Sequence, residues 1–445
     1  MAQDQGSGIR KILSSLFSHK WIEDTSREVG FIQRSRKVDP VAFFWTVVLG
    51  FGVGDDRTFA ALRRCYEAET GVSLVPSAFY YRFTETLVQL FRLSLAHVVE
   101  HFSEPSRKLR GRLEAFADVV LFDSTVFKLH EMLASAFPGT RTNTAPAAAK
   151  LHLAMSVLGC GPRTVRIAAE RIGETILMRI GPWVRGRLLM FDLGYFRYQS
   201  FARIHQNGGF FISRLKPAAN PRLVRLLRKV KGRAIDIEDK SLLDVLPKLK
   251  RQVLDAEAEV EFKRRTYAGH SRTDRATWRL VAVLNRETRE HHVYITNVPA
   301  DMLSAEDVAR TYGGRWEIEL VFRQLKSQLK LADFPTAKKA AVEALILASV
   351  ITLFVSRRFL MELRRSHPDI AERLPAERWT AVFVQFAVPI LHAILESRRR
   401  RDEAPPDLLQ LMRKEAIDPN LARIGGLLGR VEHGSDPRYD KGFHA

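Results

Sequence analysis

Only two cysteines, Cys65 and Cys160, occur in 445 residues. That excludes a disulfide framework and a thiolate zinc site, and it fits a reducing cytoplasm. Long hydrophobic runs are missing too. Long uncharged stretches lie between Asp39 and Asp55 and between Glu343 and Arg357, each shorter than the roughly 20 residues of a spanning helix. They read as buried helices, and no membrane is expected. Residues 1–8 are short and polar with no apolar run after a basic start, so no signal peptide is read there. Neither an internal repeat nor a low-complexity block is seen. Acidic charge is in short supply: 50 Asp+Glu face 70 Lys+Arg, leaving +20. That excess favours a polyanion, nucleic acid above all, over an acidic partner or a neutral metabolite. What is present, 46% hydrophobic residues, suffices to fold and rules out disorder as the main state. The length suits two or three domains.

Residues 1–112 read as a helical region and a candidate DNA-binding one. Positions 41–49 are an apolar segment entered through Asp39-Pro40, an N-cap and a first-turn proline, and 50–55 is a turn. Positions 58–69 and 77–101 keep helical spacing, separated by Gly71 and Pro76. They bring Arg57, Arg63, Arg64, Arg82 and Arg92 to a surface that could dock on DNA. From residue 116 the period changes. Positions 119–122 form a strand ending on Asp123. Positions 151–158 alternate and turn through Gly159-Cys160-Gly161-Pro162 into 164–169, a hairpin by turn chemistry. A helical stretch near 174–184 leads to a strand at 188–191 that ends on Asp192. A helix at 198–207 stops at Gly208-Gly209 before a strand at 210–214. This order implies a mixed α/β sheet over 113–216.

Residues 217–303 read as a β-rich insertion. It holds a basic helical piece at 222–231, a strand at 259–264, and a hairpin of 278–284 with 291–298 around Asn285-Arg286-Glu287. Ser304 and Asp307 suit a capping box, after which the chain is helical to about 365. Residues 304–345 return to the core. Residues 346–445 form a helical C-terminal region with the basic run Arg398 to Arg401, Pro405-Pro406 and a loose end after Gly429.

Two features carry chemistry. Asp123 and Asp192 each follow four apolar strand residues, and the carboxyl ends of central strands are where open α/β sheets place their sites. Singly, each reads equally as a strand-terminating or helix-capping aspartate. Second, on one continuous helix Tyr312, Arg315, Glu319 and Lys326 share a stripe about 60° wide. It runs beside the apolar stripe of Ile318, Val321, Leu325 and Leu329. A solvated face would give the same residues only i,i+4 pairs, Arg315–Glu319 and Glu319–Arg323, worth roughly a few tenths of a kcal/mol each. Position alone leaves both readings open.

The segment resembles the Tyr-x2-Arg-x3-Glu-x6-Lys signature of bacterial insertion-sequence transposases of the insertion-sequence-four type, a branch of the DDE transposases. All four positions match. Phe122-Asp123-Ser124-Thr125 resembles the block around that family's first aspartate. Asp192-Leu193-Gly194-Tyr195 resembles the Asp-x-Gly-Tyr block around its second, with Leu193 where many relatives carry arginine. Thr296-Asn297 ends a strand as a similar pair does in relatives, and the likeness spans about residues 40–360.

The resemblance implies a ribonuclease-H-like mixed-sheet core with a β-rich insertion before the helix bearing Glu319, flanked by helical N- and C-terminal regions. It implies metal-dependent phosphodiester hydrolysis and strand transfer, cutting DNA at both ends of an element and joining the 3′ ends to a target. Asp123, Asp192 and Glu319 would be the catalytic metal ligands for two Mg²⁺ ions, with Mn²⁺ able to substitute. Three such anions without metal would repel one another, so an imperfect cage is expected. Tyr312, Arg315 and Lys326 would meet DNA phosphates, with Arg214, Lys216 and Lys150 as further contacts. The implied partners are double-stranded DNA, as transposon ends and target, and a second copy of the chain in a synaptic homodimer. Phe354, Phe359 and 379–394 are the expected dimer surface, and the expected location is the bacterial cytoplasm, associated with the nucleoid. Some members pass through a DNA hairpin, which needs a flipped base and an aromatic partner, a part open to Trp278 or Trp316. His152, His291 and His292 lack metal-ligand spacing and read as structural or exposed. Competing readings are a transposase-derived DNA-binding protein without catalysis and a structure-selective nuclease on the same core.

Overall fold

The structure, a computed structural model, describes residues 5–33, 38–51, 58–103, 109, 111–141, 143–158, 161–229, 234–263, 272–285, 288–329, 331, 334–395 and 407–419. Its strands are β1 (Asp118–Lys128), β2 (Ala148–Ser156), β3 (Gly161–Ala169), β4 (Arg187–Phe191), β5 (Phe210–Arg214), β6 (Arg222–Leu226), β7 (Val253–Lys263), β8 (Thr273–Leu284) and β9 (His291–Thr296). They form one mixed sheet in the order β3-β2-β1-β4-β5-β9-β8-β7-β6. β1, β4 and β5 are parallel neighbours; β2 runs against both β1 and β3, and β9, β8, β7 and β6 follow antiparallel from β5. The strands of 217–303 therefore extend the same sheet.

The helices are α1 (Gln5–Leu16), α2 (His19–Glu28), α3 (Pro40–Phe51), α4 (Phe59–Thr70), α5 (Pro76–Tyr80), α6 (Glu85–Ser103), α7 (Glu174–Leu177), α8 (Tyr198–Gln206), α9 (Leu242–Val245), α10 (Ala305–Gly313), α11 (Trp316–Arg323), α12 (Lys339–Ser366), α13 (Ala376–Leu395) and α14 (Leu408–Ala416). Local chemistry sets several ends. Asp39 Oδ1 accepts from the Val41 and Ala42 amides at 2.9 Å each, capping α3 as its Asp-Pro start suggests. Thr58 caps α4, and Gly71 ends it in the left-handed region at φ 65°. Ser304 Oγ accepts from the Asp307 amide at 3.1 Å, the expected cap.

Strand alternation splits the interior in two. Val119 and Leu121 of β1 and Leu188 and Met190 of β4 join one core, which runs on into α3, α6, α10, α11, α12 and α13. Val120, Phe122, Leu189 and Phe191 join the other, closed by Phe201 and Ile204 of α8 and Leu242 of α9. Central strands covered on both faces explain why 119–122 and 188–191 are unbroken apolar runs. Two helices, α12 and α13, are long and apolar enough to span a membrane. The apolar window of α12 is 94% buried against the rest of the protein, so its hydrophobicity is spent on the core. The long uncharged stretch at 343–357 is that buried helix.

Several expectations change. The basic piece at 222–231 is strand β6 over Arg222–Leu226; alternating Arg222, Leu223 and Arg225 pair with β7, and ion pairs with Glu259 and Glu257 replace helical spacing. The stretch at 174–184 yields only α7 and a 3-10 turn at Pro182–Val184, because Gly181-Pro182 interrupts it. The helix at 77–101 is two, α5 and α6, broken at 81–84. Most consequential, 304–365 is not one helix. Gly313-Gly314 separates α10 from α11, a π turn at Gln324–Gln328 follows, and α12 begins at Lys339. Tyr312 thus stands on a different helix from Glu319. Of the turn read at 50–55, Gly50 and Phe51 still belong to α3; its residues 52–55, the turns at Gly159-Cys160 and at Arg286-Glu287, Arg57, Arg398 to Arg401, Pro405-Pro406 and the end after Gly429 lie outside the described residues.

Candidate active site

Asp123 is not at a strand end, as the apolar run suggested, but in the interior of the 11-residue β1. Its neighbour β4 does stop at Phe191, and Asp192 follows at the N-cap position of a 3-10 turn, Leu193–Tyr195. Phe122 and Phe191 are Cα partners across the parallel β1–β4 pair. The next residues, Asp123 and Asp192, therefore emerge side by side. Alternation sends both toward the face of Val119, Leu121, Leu188 and Met190, where α10 and α11 pack.

Glu319 arrives on α11, whose Ile318, Val321 and Phe322 are buried in that core. Its Oε1 lies 2.6 Å from Arg315 Nη2, and Arg315 Nη1 lies 3.8 Å from Asp123 Oδ2. One guanidinium thus sits between two of the three carboxylates. Burial pushes the Asp123 carboxyl up to about 6; the charges of Asp192 and Glu319 add to the rise, while the Ser124 amide and Arg315 oppose it. Among the described residues no group of three or more His, Cys, Asp or Glu is closed into a ready-made metal cage. The donor set nevertheless suits a hard cation, since Asp123 and Glu319 offer hard oxygens on either side of Arg315, itself a cation.

The other candidates are distributed as follows. The Tyr312 hydroxyl donates to the Phe191 carbonyl at 2.9 Å, its ring packed against Tyr294 and under the Arg315 guanidinium. Lys326 is exposed on the π turn beyond Glu319. Arg214 ends β5 beside Tyr294 and Tyr312, and exposed Lys216 lies 5.6 Å from the centre of the Phe196 ring. Lys150 is buried, its Nζ donating to the Ile172 carbonyl at 3.1 Å and lying 3.7 Å from Glu174 Oε1. Trp278 is buried among Phe211 and Phe262, whereas Trp316 is 39% exposed with Arg323 over its ring.

Sequence reasoning missed the support behind the aspartates. On the opposite sheet face Ser124 Oγ donates to Glu174 Oε1 at 2.7 Å. A Cβ on Gly194 would fall 2.0 Å from Glu174 Oε2. Glu174 therefore touches both the residue after Asp123 and the turn after Asp192. Tyr195 Oη and His152 Nδ1 are 2.6 Å apart beside it; His152 is fully buried, the structural option of the sequence reading. The glycine in Asp-x-Gly-Tyr was a usable signal for a close approach; nothing in the sequence pointed to Glu174.

Asp123 on a central strand, Asp192 just past its neighbour and Glu319 on the covering helix bring three carboxylates to one face of an α/β sheet. The family described as "Transposase DDE domain" matches residues 114–355, more than half of the chain, and the chain belongs to that family. It is similar to the transposase for insertion sequence element IS231F of Bacillus thuringiensis subsp. israelensis, 23% identical over 398 residues covering 79% of this chain and 80% of that one. The transposase for IS231B of Bacillus thuringiensis subsp. berliner is 21% identical over 418 residues, 84% of each chain. That for IS1151 of Clostridium perfringens is 21% identical over 394 residues, 80% of this chain and 82% of that one. The chain is a DDE-type transposase, as its motifs led one to expect.

Proposed function

We propose that this transposase cleaves DNA at the ends of its own insertion sequence and joins the 3′ ends to target DNA, using Asp123, Asp192 and Glu319 as the catalytic carboxylates. The observation that carries this reading is the Phe122–Phe191 register, which makes Asp123 and Asp192 neighbours on the face covered by the Glu319 helix. The strand order β3-β2-β1-β4-β5, with β2 alone antiparallel, supports a ribonuclease-H-like core continued by the strands of 217–303. On this reading residues 113–216 and 304–345 form the catalytic core, 1–112 read element ends, and the exposed parts of 346–445 pair two copies in the synaptic complex; Phe354, Phe359 and Trp379, expected on that surface, are instead buried in the protomer's own core.

Bound Mg²⁺ or Mn²⁺, as two ions, would supply the activation of the attacking oxygen and the stabilisation of the leaving one. The chain's own residues do the rest. Asp123, Asp192 and Glu319 offer oxygen donors from three separate elements. Arg315 neutralises Asp123 and Glu319 until substrate and cation arrive, then is free to turn its forked guanidinium to a phosphate. Lys326 and Lys216, both exposed, and Arg214 at the end of β5 offer charge to the DNA backbone. Tyr312 holds the end of β4 in place through Phe191.

The test is a strand-transfer assay on DNA carrying the element's own ends, with Mg²⁺ or Mn²⁺. Asp123→Ala, Asp192→Ala and Glu319→Ala are each expected to cut the rate on the order of a thousandfold, about 4 kcal/mol of barrier. Full activity in any of them removes that residue from the catalytic set. Wild-type protein that shifts the ends without cutting would be a binder derived from a transposase. Cleavage of branched DNA without need for those ends would mark a nuclease.

A further inference from the structure

Across the sheet from the carboxylates, four arginines gather around one tryptophan. Arg163 and Arg166 lie on β3, Arg187 opens β4, and Arg179 precedes the Pro182–Val184 turn. The Arg163 guanidinium carbon lies 5.1 Å from the centre of the Trp183 ring. Trp183 Nε1 donates to the Arg179 carbonyl at 3.0 Å, and Arg187 Nη1 donates to the Trp183 carbonyl. The Trp183 ring in turn packs 6.3 Å from that of Phe122, the residue before Asp123. The cluster is therefore tied to the back of the catalytic strand.

These charges are not balanced. Arg163 Nη1, Arg166 Nε and Arg187 Nε are buried with no hydrogen-bond partner, and each such group carries an unrecovered desolvation cost. Burial lowers the affinity of Arg163 and Arg166 for their protons, and the neighbouring Arg187 and Arg179 charges lower it further. Among the described residues the carboxylate acting on Arg163 and Arg187 is Asp118, already committed to the Val119 and Leu158 amides and the Ser156 hydroxyl. One buried carboxylate cannot neutralise four guanidinium groups. Such a cluster is completed by an anion from outside, and a planar fork held on an aromatic ring fits the geometry of phosphate.

We propose that Arg163, Arg166, Arg179 and Arg187 form a second DNA-backbone site, taking phosphodiester groups on the sheet face opposite Asp123, Asp192 and Glu319. The proposal rests on the DNA-processing reading above. Arg187 is the Cα partner of Asp118, five strand residues before Asp123, so along the strand direction the two sites lie about 16 Å apart at about 3.3 Å per residue.

The experiment uses the full chain, a random-sequence duplex and no divalent metal, with affinity measured across a salt series. Arg166→Gln and Arg179→Gln are each expected to weaken binding several-fold and to reduce the salt slope by about 1. The DNA-free melting temperature of R166Q should hold or rise, since a repelling charge is gone; R179Q, at an exposed position, reads the same effect should R166Q not fold. Unchanged slopes in both variants, while wild type still cuts element ends, overturn this site and leave the proposed function standing. So does a fall in R166Q melting temperature with its slope unaltered, the mark of a purely structural arginine. Failure of wild type to cut or join DNA while the slopes drop would instead overturn the proposed function and keep the site.

Discussion

The Tyr312 hydroxyl donates to the Phe191 carbonyl at 2.9 Å, fastening the helix before Glu319 to the last strand residue before Asp192. Burial pushes this phenol up to about 12, so it remains a donor at neutral pH. Tyr312→Phe removes the tether and leaves the ring. The expected cost is about 1 kcal/mol of stability together with a drop in strand transfer, with the affinity for DNA at fixed salt unaltered. A several-fold loss of that affinity in titrations of Y312F would mean that the hydroxyl meets a phosphate instead.

Arg315 stands between two of the proposed catalytic carboxylates, 2.6 Å from Glu319 and 3.8 Å from Asp123. Arg315→Gln leaves two part-buried carboxylates without their internal counter-charge. Metal-free R315Q is expected to lose roughly 1–3 kcal/mol. Added Mg²⁺ should then raise its melting temperature more than that of wild type, because no guanidinium has to be displaced. Equal rises in thermal scans of the two proteins would show that Arg315 does not compete for the cation.

The neighbouring placement of Asp123 and Asp192 was legible from residue order, and the reason is local. The runs before Asp123 and Asp192 are apolar because their strands are covered on both faces, so a carboxylate closing such a run is conspicuous. Asp39-Pro40 and Ser304-x-x-Asp307 announced their helices through capping chemistry that needs no tertiary context. The failures share a cause as well. Arg222 to Leu226 reads as a helix until β7 supplies Glu257 and Glu259 across the ladder. The stripe joining Tyr312 to Lys326 assumed an unbroken helix, whereas Gly313-Gly314 bends the chain so that Tyr312 turns to Phe191 rather than outward. Glu174 and Gly194 come together only through the fold, 20 residues apart.

Gly194 leaves room for Glu174, whose Oε2 would stand 2.0 Å from a Cβ there. That carboxylate is not free to swing aside without loss, since Ser124 donates to its other oxygen at 2.7 Å. Gly194→Ala is expected to destabilise by about 1–3 kcal/mol and to depress activity through the Asp192 turn. Glu174→Ala removes the clash and the strap together. The double variant should therefore be less damaged than the sum of the singles, with a coupling of about 0.5–3 kcal/mol. Additive losses in a chemical-denaturation cycle would separate the two positions.

His152 makes the pH dependence of stability readable. Burial holds its imidazole down to about 4 from 6.5, with Arg166 and Lys150 adding to the shift, while its Nδ1 faces Tyr195 Oη. Above 6.5 the ring is neutral folded or unfolded and contributes nothing. As pH falls from 6.5 toward 4 the unfolded chain takes up a proton that the folded chain refuses, so stability is lost, by about 3 kcal/mol in full. Asp123, raised to about 6, works the other way, favouring the metal-free fold at low pH and costing stability as pH rises from about 4 to 6. Both are present in wild type, so its total profile blends them. His152→Asn keeps Asp123 and drops the imidazole. The stability gap between wild type and H152N should therefore shift in the variant's favour by about 3 kcal/mol from pH 7 to pH 4. Denaturant titrations giving the same gap at both ends of that range would mean that His152 takes up its proton as readily in the folded chain as in the unfolded one.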